Sequence, residues 1–123
     1  MPNAQTPADA GLTPTALLQQ RTAPIAAQTN GVVTAQVRGE HDAREQKWAD
    51  NFYLVGPQIG YSYLLFTLQF PLAEFYPARV GFDGWPQRWR EVEGEAELNA
   101  TLDEILADEK TRRVIEAIVA RSE

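Results

Sequence analysis

The chain has 123 residues, 44% hydrophobic and 23% charged, which fits one domain with its own core and excludes a disordered or fibrous chain. Its net charge of −6 and pI near 4.8, with eleven basic residues scattered along the sequence, set up a field that repels phosphate backbones and anionic lipid, so neither nucleic acid nor a membrane is expected as a partner. With no cysteine, disulfides, thiolate nucleophiles, iron–sulfur clusters and cysteine-ligated zinc are excluded, which favours a reducing compartment.

Met1 to Leu12 is a proline-containing run of mostly small residues without periodicity, predicted to be a disordered tail ahead of a single domain over residues 13–123. It has no basic start and no continuous apolar segment, so it does not read as a secretory signal. No later run reaches the roughly 18 apolar residues that span a bilayer, and a cytoplasmic location is expected.

Thr13 before Pro14 is a helix start, since threonine caps free amides and proline at the first helical position loses no needed donor. Asn30-Gly31 is the matching stop. Pro24 lies between them and predicts either a kinked helix or two short ones, with Thr22 capping the second. Val32 to Arg38 alternates, with Val33, Ala35 and Val37 on one face, and predicts a first strand. Gly39 to Glu45 then reads as a polar turn.

Two runs of β-branched and aromatic residues within Asn51 to Phe70 flank Gly56-Pro57-Gln58-Ile59-Gly60 and predict a β-hairpin. Its first arm, opened by Trp48, puts Phe52 and Leu54 opposite Tyr53 and Val55. Strict alternation in the second puts Leu64, Phe66, Leu68 and Phe70 in the core, and Tyr61, Tyr63, Leu65, Thr67 and Gln69 on the other face. Pro71 ends that arm. A fourth strand within Phe75 to Phe82 has to start late or lie at an edge, because Pro77 cannot donate to a ladder. Asp83-Gly84-Trp85-Pro86 is a turn, and Arg88 to Glu93 predicts a short fifth strand with Trp89 and Val92 on opposite faces.

After Gly94 the period becomes helical. Leu98, Leu102, Ile105 and Leu106 form one stripe, and Asp108 caps a last helix striped by Val114, Ile115, Ile118 and Val119, with Arg112, Arg113 and Arg121 on its outer side. The predicted fold is α+β: an antiparallel sheet of four to five strands, with an N-terminal helix and two C-terminal helices packed on it, in the order α-β-β-β-β-(β)-α-α.

Chemistry-bearing motifs are sparse. His41, the single histidine, stands among Glu40, Asp42 and Glu45 as for a metal site or general base, but Arg44 and Lys47 alternate with the acids as in a solvated turn. Gly60-Tyr61-Ser62-Tyr63-Leu64 lacks the second glycine of a nucleophile elbow, and no glycine cluster forms a phosphate loop. The acids of the C-terminal third follow no calcium-loop pattern. No catalytic residue, metal ligand or cofactor is therefore predicted.

Trp85, Arg88, Trp89 and Arg90 have the composition of a binding hot spot, although a tryptophan also closes the end of many cores. Tyr53, Val55, Tyr61, Tyr63 and Leu65 make a second sheet face too apolar to stand open, so something is expected to cover it. The outline is similar to that of many small bacterial proteins, and likeness of outline carries no function.

The leading expectation is a non-enzymatic protein-interaction module, accessory, immunity-like or chaperone-like, which binds a protein or its own second copy as a homodimer through the tyrosine-rich face or the Trp85 to Arg90 segment. The alternative is a small-molecule-binding protein or enzyme whose aromatic face curves into a pocket, with His41 or Arg79 supplying polarity.

Overall fold

A computed structural model describes residues 12–123. The predicted tail otherwise lies outside the described residues, but its last residue, Leu12, packs partly against the core and donates its amide N–H to Glu95 at 3.2 Å. Thr13 takes extended backbone and its hydroxyl oxygen accepts the N–H of Ala16, which starts α1, Pro14–Gln19, as the Thr-Pro pair predicts. Pro24 splits the helical segment. The chain breaks at Gln20 and Arg21 and restarts as α2, Thr22–Gln28, so that proline sits in a first turn where its missing N–H is not needed. Thr22 does not cap α2; its hydroxyl donates back to the Gln19 carbonyl. Asn30 and Gly31, both at positive φ, end it, and the Gly31 N–H returns to the Ala26 carbonyl at 2.8 Å.

Among the described residues five antiparallel strands follow in sequence order: β1, Thr34–Asp42; β2, Lys47–Gly56; β3, Tyr61–Pro71; β4, Ala78–Phe82; and β5, Trp89–Val92. β1 continues through the predicted polar turn, because as an edge strand it leaves the charges of Arg38, Glu40 and Asp42 in water. Only residues 43–46 turn, held by Asp42 Oδ1 accepting the N–H groups of Arg44 and Glu45. β4 starts late, after Pro77, yet it is an interior strand between β3 and β5.

The main departure from alternation is in β3. Phe52 faces Phe66 across the ladder while Tyr53 faces Leu64, so Leu65 is an extra residue with no partner, a β-bulge. A bulge shifts the two-residue phase, and the expected faces exchange. Phe66, Leu68 and Phe70 stay inside, Leu65 is buried at 4% exposure, and Leu64, expected in the core, is 45% exposed on the opposite face. Tyr61 and Tyr63 turn to the helix side, opposite Gly56 and Leu54, away from Tyr53 and Val55. The expected five-residue aromatic face therefore does not exist as one surface.

All helices of the described residues lie on the side of Asp50, Phe52 and Leu54. Thr15 of α1 donates to Asp50, Leu98, Leu102 and Ile105 of α3, Glu95–Leu106, enter the common core, and Ile118 of α4, Glu109–Arg121, packs over Gly56. Arg21 ties α2 to α3 by an ion pair with Asp103 and a bond to Asn99 Oδ1 at 3.0 Å. Among the described residues no helix covers the outer sheet face, and its own side chains organise it. Thr67 donates to Asn51 at 2.8 Å, and the guanidinium of Arg38 lies 4.4 Å from the ring centre of Tyr53.

Candidate functional site

The β2–β3 connection is one 3₁₀ turn, Pro57–Ile59, closed by Gly60 at φ 62°, a conformation that favours glycine. It raises Ile59 beside the first residues of β3. On the other side stands α4, started by Asp108 accepting the Lys110 N–H at 2.8 Å and locked to α3 by the buried Thr111 hydroxyl, which donates to the Ile105 carbonyl. Of the α4 stripe only Ile118 is fully buried, and it reaches so close to Gly56 that a Cβ there would collide with its side chain. The absence of a side chain at Gly56 is what lets α4 approach the sheet.

Beyond that contact helix and sheet diverge, leaving an apolar cleft of about 600 Å³. Ile59, Tyr61 and Tyr63 form one wall and Val114, Ala117 and Ile118 the other, with Arg121 at the end. The methyl group of Ala117 is too small to fill it. The cleft is open-sided, with Ile59 37% and Tyr61 45% exposed at its lip. Arg121 folds back to donate one N–H to the Ala117 carbonyl at 3.2 Å and has no ion pair among the described residues.

The cleft thus gathers Tyr61 and Tyr63 from the expected interaction residues and excludes the rest. Tyr53 lies on the outer face beneath Arg38. Leu65 is in the core. Trp85, in the expected turn and open there to either a binding or a core-closing role, is 9% exposed and meets Phe82 edge-on at 5.4 Å, so it closes the end of the core. Arg90 stacks on that indole at 3.9 Å while gripping Glu104 with both terminal nitrogens, and this pairing, helped by Arg90's charge, holds the Glu104 carboxyl below the usual carboxylate range. The buried Trp85 indole N–H has no hydrogen-bond partner among the described residues.

Arg88 is an exposed partner of Asp83, and Trp89 lies on the outer face with Arg79 over its ring at 4.6 Å. His41 stacks in parallel on Trp48 at 6.2 Å at the far end of β1, in a small polar hollow that Arg79 does not line. Among the described residues no three His, Cys, Asp or Glu side chains group to hold a metal ion. None of their helices is long and apolar enough to cross a membrane.

Arg121 was expected on the outer side of its helix. Yet it follows Ala117 by four residues and Ile118 by three, the helical spacing of one face, so its place beside them was present in the sequence. Ile59, inside a turn, carried no such signal. Comparison with known proteins finds no match: no family model matches the chain, and no curated protein or solved structure does so either.

Proposed function

We propose that this chain is a non-enzymatic protein-interaction module that holds a segment of a partner protein in the cleft between β3 and α4. One observation carries the reading: an unfilled apolar cleft whose lip residues, Ile59 and Tyr61, stand in water. Tyrosine and arginine are the side chains that dominate binding energy at protein interfaces, and both line it. A small-molecule site is typically concave and buries most of its ligand against a few converging polar groups. Here the polar groups are two phenols and one guanidinium at an open mouth.

The test is a panel of metabolites and metal ions screened by thermal shift, alongside peptides selected by display on the immobilised full chain. The reading expects selected peptides to lose at least about tenfold in affinity on Tyr61→Ala. It is overturned if a metabolite raises the melting temperature of the wild type but not of Tyr61→Ala, while no peptide depends on Tyr61.

A further inference from the structure

We infer that the partner segment carries a carboxylate beside its apolar anchor, and that Arg121 receives it. This rests on the reading of the cleft as a protein-binding site. Of the nine arginines, Arg21, Arg88, Arg90, Arg112 and Arg113 form ion pairs, while Arg38 and Arg79 lie over the rings of Tyr53 and Trp89. Arg44 and Arg121 have neither kind of partner among the described residues, and only Arg121 lines the apolar cleft. A guanidinium offers five N–H groups in a fork that fits a carboxylate, and one of them is engaged, with the Ala117 carbonyl.

Seating an apolar segment against Tyr61 and Ile118 takes this guanidinium partly out of water, a cost unless the arriving segment supplies the counter-charge. The surroundings agree. In a chain of net charge −6, Arg121 is the one charged side chain that lines the cleft, so the charge the cleft presents is opposite in sign to that of the molecule as a whole. A basic segment would be drawn to the rest of the surface and repelled at this wall, which gives the site discrimination and sets the direction in which a segment lies.

Random peptides displayed on phage are selected on the full chain, and those losing affinity on Ile59→Asp are kept as cleft binders. Anisotropy with the synthetic peptides then measures affinity for wild type and Arg121→Glu, with folding of each variant checked by circular dichroism. Cleft binders are expected to carry Asp or Glu within one turn of an apolar anchor and to weaken about tenfold on Arg121→Glu. Replacing the peptide acid by lysine should restore binding to Arg121→Glu and weaken binding to wild type.

Cleft binders that lack an acid, or are indifferent to Arg121→Glu, overturn the inference and leave the module reading standing. If no peptide depends on Ile59, both fall. Self-association abolished by Ile59→Asp, seen by light scattering, would assign the cleft to a second copy and overturn a separate partner. Binding of anilinonaphthalene sulfonate through Arg121 with no peptide binding would overturn a protein occupant.

Discussion

Leu64 and Leu65 are adjacent and chemically identical, and the bulge sends them to opposite environments, 45% and 4% exposed. Truncating Leu65 to alanine removes about three carbons from a packed core, at roughly 0.8 kcal/mol each, before any term for the cavity left behind. The total expected is about 2–4 kcal/mol. The same truncation at Leu64 removes atoms already about half in water, leaves no closed cavity and should cost at most about 1 kcal/mol. Urea unfolding of both variants, followed by tryptophan fluorescence and far-ultraviolet dichroism with a common slope, measures the difference. The midpoint of Leu65→Ala is expected about 1 M or more below that of Leu64→Ala. Unbroken alternation in β3 demands the reverse order. Equal costs, or a larger cost at Leu64, would refute the bulge and with it the turning of Tyr61 and Tyr63 toward α4.

The carboxylate of Asp50, 1% exposed, accepts the Thr15 hydroxyl at 2.6 Å and the Trp48 indole N–H at 2.7 Å. Thr15→Val should therefore destabilise by about 1.5–3 kcal/mol in the same urea assay, and in an Asp50→Ala background by much less. The Tyr76 hydroxyl is buried without a partner among the described residues, and burial, with the nearby charge of Glu95, pushes its pKa up. Its neutral form is favoured by folding, so this contribution is present below about pH 10 and lost as pH rises through the folded-state value. Tyr76→Phe should be at least as stable as wild type at neutral pH and lose stability less steeply in alkali; a loss above about 1 kcal/mol at pH 7 would show that the hydroxyl is satisfied.

For Glu104 the sign is opposite, because Arg90 lowers its pKa in the folded state. The stabilisation is present above the ordinary carboxylate value of about 4.3 and disappears as pH falls through the lower folded value. The midpoint difference between wild type and Glu104→Gln should be positive at pH 7 and vanish in acid. A difference unchanged by pH would remove the electrostatic account.

Tyr63 faces the helix side and packs partly against the core, so truncating it mixes folding with binding; Tyr61 at the open lip separates the two.

What the amino-acid order determined by itself is what short-range chemistry controls. The Thr13-Pro14 start, the Asn30-Gly31 stop, the Asp108 cap, the hairpin around Gly56 to Gly60, the late start of β4 after Pro77 and the inward stripe of Leu98, Leu102 and Ile105 each follow from backbone torsions, a missing donor or the helical period. Only the tertiary structure decided the phase of β3. Alternation has a period of two and no memory of where it began, so one bulged residue reverses every face before it at little local cost, and the choice fell to Phe66 stacking on Phe52 at 4.8 Å. The cleft lay beyond local reading for the same reason. Ile59 in a turn, Tyr61 on a strand and Arg121 on a helix some 60 residues later become neighbours because Gly56 has no side chain to keep Ile118 away.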